Sequence, residues 1–478
     1  MVDVRDMQER DLKDLQRGLK LLREGNNDEA RTLLVEVRER SPELPDAHLL
    51  AAVAARGLGR TTLALREVER AIEVAPDLAD LHANRGAILC DLERYDEAEA
   101  ALLEALRRNP KDPEALGDLG RVLLHLKRPE EALTCLEPVA AVMPTDAGLH
   151  SDIGVALIMA RRVESAIRRY ETALRLAPED AEIHANYSRA LLLANRYEDG
   201  WRESEWRFRT RQYALRDPLP YPVWEGEPLE GKSVLLIAEQ GFGDTLQMIR
   251  FAPVLAQKGA RVIVSCAHEL VRLIEAMPSV DLVFAHGVGT PSADYCVPML
   301  SLPRVLGLTP QTIPDEPYLC APEGVQGVEL PEEGLNVGLT WSGKTNRTLS
   351  FDALEPLLKL KGLNFVNFQL GPQAYLGRSR GMIDVSSKLD DFATSAAIIA
   401  QLDVVVAADT AVAHLAAALG KKTIVLLHRD SDWRWGLEGD RTPWYPSAVL
   451  CRQDSSEGWS LPIESAVREL ERMSQVTS

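Results

Sequence analysis

An Asp-Thr pair and a histidine follow an apolar run in the last quarter of the chain. Residues 404–420 read VVVAADTAVAHLAAALG, so Asp409 and Thr410 end a buried-strand pattern and His414 lies one turn into a helix pattern. One interpretation is structural, because Asp and Thr side chains commonly accept the free N–H groups of a first helical turn. The other is chemical, because a helix N-terminus after a parallel strand attracts anions. This stretch alone leaves both interpretations open.

A second candidate is Asp244, in the segment AEQGFGDTLQMIRF that follows the apolar run SVLLIA. The glycines permit a tight turn, but Leu246 stands where a dinucleotide-binding G-x-G-x-x-G fingerprint has its third glycine. The segment is therefore not a dinucleotide-binding fingerprint. Asp244 lies at the start of the helix that follows the turn. Its carboxylate serves either as a helix cap or as a general base.

Two tryptophans and the absence of a metal motif complete the list of chemical candidates. Trp433 and Trp435 offer surfaces for stacking on a base or a sugar, or else they form an aromatic cluster that closes the C-terminal part of the fold. The sequence has no D-x-D motif, and its six cysteines are scattered without a C-x-x-C pair. We expect no bound metal and no cofactor.

The first half of the chain is a repeat array. Prolines recur every 34 residues, an alanine precedes each by twelve, and a small residue precedes each by twenty-four. The prolines are Pro42, Pro76, Pro110, Pro144 and Pro178. The period and pattern resemble tetratricopeptide repeats, with two helices per unit and stacking into a curved solenoid. Five units cover 11–180, and a degenerate terminal unit ending in NRYEDGWRESEWRFR looks as if it docks onto another part of the protein.

Polar residues also recur with this period on the first helix of each unit. The positions are Asn84, Asp118, Asp152 and Asn186. Exposed polar positions are common on helices, but this pattern resembles the asparagine ladder of the O-linked N-acetylglucosamine transferases, which grips an extended acceptor protein. Two of the four are Asp, which only accepts hydrogen bonds, and Leu50 occupies the corresponding place in an earlier unit.

The second half alternates strand and helix patterns on both sides of a Pro/Gly-rich stretch, 302–334. We predict a tetratricopeptide α-solenoid over 1–212, a linker over 213–232, and two Rossmann-like lobes over 233–334 and 335–478. In such lobes ligands bind beyond the carboxyl ends of the strands. Asp244 and Asp409 both follow strands, so the predicted topology places them at such ends.

Composition excludes several partners. The net charge of −18 has no basic surplus in either half, which argues against nucleic acid. The charged start MVDVRDMQERDLKDL has no apolar region of a secretory signal, and no stretch is long and uncharged enough for a membrane helix. We therefore expect a cytoplasmic protein without membrane insertion.

Four blocks in order carry a family resemblance: EQGFGDTLQMIRF, GLTWSG followed by Arg347, VVVAADTAVAHLAAALGK, and DWRWGLEGDRTPWYP. Together they resemble the bacterial GT-B glycosyltransferases related to the heptosyltransferases of family nine. Behind a repeat array, they are similar to bacterial tetratricopeptide-repeat glycosyltransferases, some of which modify flagellin.

The resemblance implies roles for particular residues. Asp244 matches the proposed catalytic base. Asp409, Thr410, Ala411 and His414 match the block that holds the donor diphosphate, and Lys344 or Arg347 matches a basic residue that contacts phosphate. The loop residues expected near the reacting centre are Glu239, Gln240, Gly241 and Gly243.

The sequence thus predicts a metal-independent, inverting-type glycosyltransferase that takes a nucleotide sugar and modifies a protein held by the repeats. Three alternatives remain: a repeat scaffold whose lobe only binds a nucleotide sugar, a transferase that acts on lipid-linked glycans, and a nucleotide-sugar epimerase.

Overall fold

The computed structural model describes residues 4–211, 219–289, 291–343, 349–454 and 458–477. The chain divides into two compact units, Met1–Glu179 and Asp180–Ser478.

The first unit consists of antiparallel helix pairs, one pair per 34-residue repeat. Its helices are α1 (Val4–Arg23), α2 (Asn27–Arg40), α3 (Pro45–Gly57), α4 (Thr61–Val74), α5 (Ala79–Asp91), α6 (Tyr95–Arg108), α7 (Pro113–His125), α8 (Pro129–Val142), α9 (Ala147–Met159) and α10 (Val163–Leu176). The predicted five-unit solenoid is confirmed. The second helix of each pair ends just before the repeating proline, which cannot continue a helix without losing a hydrogen bond.

The small residue of each repeat is required by close helix packing. A Cβ placed on Gly154 would lie 2.6 Å from the ring of Tyr170, and one on Gly18 would lie 2.6 Å from Leu34. These distances are far below van der Waals contact, so glycine allows the two helices of a pair to approach.

The turn between the two helices of a repeat is left-handed at the same position every time. Gly25 and Gly59 occupy it in the first two repeats, whereas Glu93, Lys127 and Arg161 adopt φ near +60° in the following ones. This backbone conformation is unfavourable for a residue with a Cβ, and the sequence period alone did not predict it.

The second unit begins with a further helix pair, α11 (Ala181–Leu193) and α12 (Tyr197–Ser204), followed by a 3-10 turn over Glu205–Arg209. Trp201 of this pair is 3% exposed. Its ring packs edge-on against Trp433 at a centroid distance of 5.0 Å. The degenerate repeat therefore belongs to the compact unit of the lobes, and the boundary between the units precedes the boundary predicted at 212.

The first lobe contains a four-stranded parallel sheet with the order β3-β2-β1-β4. Its strands are β1 (Ser233–Ile237), β2 (Arg261–Cys266), β3 (Leu282–Ala285) and β4 (Tyr295–Pro298). The segment before β1 is held against this sheet, because Val223 forms a parallel bridge with Cys296. The short helices around the sheet are α13 (Phe242–Met248), α14 (Ala252–Gln257), α15 (Val271–Glu275) and α16 (Leu302–Val305).

The second lobe contains a six-stranded parallel sheet with the order β10-β9-β8-β5-β6-β7. Its strands are β5 (Leu335–Thr340), β6 (Leu363–Asn367), β7 (Ile383–Asp384), β8 (Val404–Ala408), β9 (Lys422–Leu427) and β10 (Ala448–Arg452). Its helices are α17 (Glu355–Leu358), α18 (Ala374–Ser379), α19 (Phe392–Gln401), α20 (Ala411–Ala418) and α21 (Ser460–Thr477). The sheet order doubles back at β5 and β8, which creates the crevice where ligands of such folds bind.

Arg250 connects the two lobes from a buried position with 1% exposure. Its guanidinium donates to the carbonyl oxygens of Trp444 at 2.8 Å and Pro314 at 3.1 Å. It also lies over the rings of Tyr318 and Tyr445, each 4.7 Å from its Cζ. These contacts fix the helix that carries Asp244 against the second lobe.

Candidate functional site

The junction between β8 and α20 places Asp409 and Thr410 at the carboxyl end of a central strand. Thr410 is the N-cap residue of α20 with an extended backbone, φ −137° and ψ 168°, but its side chain makes no capping hydrogen bond. Its hydroxyl oxygen is buried and lacks a hydrogen-bond partner among the described residues. The geometry of Thr410 therefore does not support its interpretation as a side-chain cap.

His414 lies one turn into α20, 4% exposed. Its Nδ1 is 2.9 Å from the hydroxyl of Tyr445, and its Nε2 is 3.9 Å from Oδ1 of Asp409. Trp435 packs against the imidazole at a centroid distance of 5.1 Å. If the tyrosine donates to Nδ1, then Nε2 carries the proton and is the donor on the Asp409 side of the ring.

The loop after β1 meets this junction. Gly241 is the N-cap of α13, and its N–H donates to Oδ2 of Asp244 at 3.2 Å. A Cβ on Gly243 would lie 3.0 Å from Cδ2 of His414, so this backbone passes directly over the imidazole. The two motifs that sequence reasoning selected separately thus lie side by side, one from each lobe.

Arg434 was missed by sequence reasoning, although it lies between the two tryptophans that were selected. Its guanidinium donates to Asp244 at 2.6 Å and to the side-chain oxygen of Gln247 at 2.7 Å, and it forms an ion pair with Asp432 at 3.0 Å. Its side chain is 9% exposed. Burial acts to lower the pKa of Arg434, but Asp432, Asp244 and Asp409 raise it above the usual value, so the group is a permanent buried cation.

Glu239 occupies the first position of the same loop, and its side chain is 8% exposed. Its Oε1 accepts from Arg207 at 2.9 Å and from the backbone N–H of Leu300 at 3.2 Å, whereas Oε2 is buried without a partner among the described residues. Burial raises the pKa of Glu239, and Arg207 opposes that shift. Arg207 comes from the turn after α12, so the degenerate repeat holds the loop. Gln240 is half-buried beside it.

The two predicted stacking tryptophans lie in an aromatic cluster. Trp435 is 1% exposed. Trp433 packs against Trp444 at 5.4 Å, and Arg434 lies 4.6 Å above its ring. These contacts match the alternative of a cluster that closes the lobe, and stacking on a base or sugar stays a prediction.

The ladder positions of the first unit have internal partners. The amide of Asn84 donates to the carbonyl of Asp80 at 2.8 Å. Arg121 bridges two ladder carboxylates, with a hydrogen bond to Asp118 and a 3.5 Å contact to Asp152. Burial raises the pKa of Asp152, and Arg121 opposes that shift. The fourth position, Asn186, lies half-buried on α11 of the second unit.

Lys344 and Arg347 lie outside the described residues, so their predicted contact with phosphate stays a prediction. Gly343, the last described residue before them, lies beside Thr410, since a Cβ there would be 3.1 Å from Cγ2 of the threonine. Among the described residues, no group of three metal-binding side chains converges, and no helix has the length and apolar character to span a membrane.

Protein families of two kinds match parts of this chain. A family described as glycosyltransferase family 9 (heptosyltransferase) matches residues 379–468. Tetratricopeptide repeat families match residues 15–79, 89–151 and 152–200. The chain combines tetratricopeptide repeats with a glycosyltransferase family 9 domain. The family 9 match includes the β8–α20 junction and Arg434. It begins at residue 379 and therefore does not include Asp244.

Three individual proteins are similar to parts of this chain. Protein FlbA of Caulobacter vibrioides is 27% identical over 293 residues, which cover 52% of this chain and 48% of that protein. The chain thus spans about half the length of the curated relative that it matches. A solved structure of pilF from Pseudomonas aeruginosa is 23% identical, covers 44% of this chain and 95% of its own, and has a TM-score of 0.39. A thermophilic tetratricopeptide protein of Thermus thermophilus is also 23% identical, with coverages of 38% and 99% and a TM-score of 0.33.

Proposed function

We propose that this family 9 glycosyltransferase transfers a sugar from a nucleotide-activated donor to a hydroxyl group of a protein held by its repeats. The observation that carries the proposal is the contact between Gly243 and His414. It sets the candidate base, Asp244, beside the junction that offers a helix N-terminus, a buried hydroxyl and an imidazole.

On the donor side, α20 presents unpaired backbone N–H groups at its start, which favour an anion. The Thr410 hydroxyl has no partner among the described residues, so it is available to a phosphate oxygen without loss of an existing hydrogen bond. Together with His414, these groups suit a diphosphate that gains negative charge as it leaves. We propose that this stabilisation needs no metal ion.

On the acceptor side, a carboxylate is suited to take the proton of the attacking hydroxyl as the glycosidic bond forms. Attack on the face opposite to the leaving diphosphate inverts the anomeric centre through an oxocarbenium-like state. Asp244 is our choice for this base because its loop joins the acceptor-side lobe to the proposed diphosphate site.

We further propose that the acceptor is an extended protein segment in contact with Asn84, Asp118 and Asp152. Flagellin is the first acceptor to test, because the resemblance found in the sequence extends to enzymes that modify it. A nucleotide-sugar donor also fits the cytoplasmic location that the sequence predicts.

A second candidate function is nucleotide-sugar binding without transfer. It is favoured by one observation, the ion pair between Asp244 and Arg434 at 2.6 Å, which occupies the carboxylate that we assign as base.

The deciding experiment incubates the full chain with a panel of nucleotide sugars, with and without flagellin, and measures free nucleoside diphosphate and modified protein. We expect release of diphosphate, faster with acceptor, and a loss of at least about 100-fold in Asp244→Asn. Asp352→Asn, at an exposed carboxylate, is the matched control. Donor binding without any release in the wild type would favour the second candidate.

A further inference from the structure

Arg434 is a buried cation that holds the proposed base from the opposite lobe. It lies in the segment between β9 and β10, whereas Asp244 and Gln247 lie on α13 of the first lobe. Its guanidinium gives one hydrogen bond to each of these two side chains and forms an ion pair with Asp432 of its own segment. The cation is thus anchored on one lobe and reaches into the other.

The same guanidinium lies close to the proposed diphosphate site. Asp409, the first residue after β8, contributes to the raised pKa of Arg434. The neighbouring Trp435 packs on His414 at 5.1 Å, and Gly243, next to Asp244, passes over the same ring. Arg434 therefore contacts the proposed base, and the next residue in the chain packs on the imidazole of the anion-binding junction.

This arrangement contains a chemical conflict if it stays fixed during the reaction. Oδ1 of Asp244 accepts a hydrogen bond from the guanidinium, so this oxygen is not free to take the proton of the acceptor hydroxyl. A leaving diphosphate, in turn, gains negative charge that a buried guanidinium stabilises strongly, since arginine binds phosphate in a bidentate manner. Asp244 and the leaving diphosphate therefore compete for the same cation, Arg434.

We infer that Arg434 is a catalytic residue that exchanges partners, pairing with Asp244 in the donor-free protein and donating to the donor diphosphate when the nucleotide sugar binds. The inference rests on the proposed function. Asp432 keeps its ion pair with the guanidinium throughout and serves as its anchor.

The exchange couples donor binding to activation of the base. With Arg434 on the diphosphate, Asp244 accepts the proton of the acceptor hydroxyl while the acceptor oxygen forms its bond to the anomeric carbon. The bond from that carbon to the diphosphate oxygen breaks, and its electron pair leaves with the nucleoside diphosphate. In the absence of donor the base stays neutralised.

The test is calorimetry of the full chain with UDP, GDP, ADP, CDP and TDP, followed by the same nucleosides without phosphate. For the diphosphate that binds, Asp244→Asn should increase affinity at least 5-fold, because the competing carboxylate is gone. Arg434→Lys should decrease it at least 10-fold, because lysine lacks the planar fork. Affinity for the nucleoside should not change in either variant.

The double variant separates partner exchange from simple charge repulsion. In the Arg434→Lys background, Asp244→Asn should no longer improve diphosphate affinity. An equal gain in both backgrounds, or no gain in Asp244→Asn alone, would overturn the inference while leaving the proposed function intact. Arg441→Gln, at an exposed arginine of the same segment, is the control and should bind like the wild type. If the wild type binds none of the five diphosphates at millimolar concentration, the proposed function fails, and the inference fails with it.

Discussion

Gly243 of the first lobe lies in contact with the imidazole of His414 of the second, so close that a Cβ on the glycine would reach 3.0 Å from Cδ2. The contact requires a residue without a side chain at this point of the G-F-G-D turn. The contact also joins two motifs that are far apart in the sequence into one candidate site.

Gly243→Ala tests this contact directly. We expect the imidazole to be displaced by a few tenths of an ångström, with a loss of nucleoside diphosphate affinity of about 5-fold or more. Thermal stability should change by less than about 1 kcal/mol, because alanine is the better helix former and offsets part of the clash. The measurement is calorimetry combined with thermal denaturation. Gly117→Ala, at a helical glycine whose Cβ would make only an ordinary 3.9 Å contact with Arg121, is the control, and equal affinities in the two variants would remove the contact from the site.

Thr410→Val separates the two interpretations of the β8–α20 junction. The hydroxyl has no partner among the described residues, so the variant should change the free energy of unfolding by less than about 0.5 kcal/mol, below the roughly 1 kcal/mol of a typical lost cap. Diphosphate affinity should fall about 10-fold, as expected for one lost hydrogen bond to a charged group. The nucleoside without phosphate should bind unchanged. Destabilisation without a change in diphosphate affinity would return Thr410 to a purely structural role.

Much of the architecture was predictable because its signals are local. Each repeat is one helix pair of 34 residues, so proline and glycine positions identify it without knowledge of distant contacts. Both sheets follow the predicted alternation of strands and helices, because buried strands appear in the sequence as short apolar runs. The strand β7 has only two residues, too few to give such a pattern.

The parts of the site that escaped prediction depend on distant contacts. Arg434 and Asp244 are 190 positions apart, and nothing in the local pattern DWRW indicates which carboxylate the arginine meets. Arg207 and Glu239 likewise come together only when the degenerate repeat packs on the first lobe. Charge pairs of this kind have no sequence period, so a single sequence does not reveal them.

Glu239→Gln should change the pH dependence of stability. Burial raises the pKa of Glu239 in the folded chain, so its contribution to stability is fully present below the unfolded value of 4.5 and is lost as the pH rises through the folded value. Glutamine does not ionise, so the stability of the Glu239→Gln variant does not fall in this way as the pH rises. Measured by urea denaturation, the stability of the variant relative to the wild type should therefore increase as the pH rises from below 4.5 towards neutrality. A relative stability that is constant with pH would contradict this assignment.

Trp201→Ala should destabilise the second unit by about 3–5 kcal/mol, because it removes a buried aromatic side chain that packs against Trp433 and Trp444. Denaturation of the full chain, followed by tryptophan fluorescence, measures the effect. Tyr375→Ala, at a side chain that is 58% exposed, is the control and should stay within about 0.5 kcal/mol of the wild type. A similar small effect for Trp201→Ala would show that the degenerate repeat is not part of this core.

The position of the degenerate repeat bears on where whole repeats can be exchanged. Because α11 and α12 belong to the compact unit of the lobes, the natural point of exchange is the boundary after Glu179 rather than the Pro-rich segment near 218. Residues 1–179 then form a block of whole repeats that can be replaced, while the helix pair that follows stays with the lobes. Recombination at this boundary would exchange whole repeats and leave Arg207, Glu239, Asp244 and Arg434 in place.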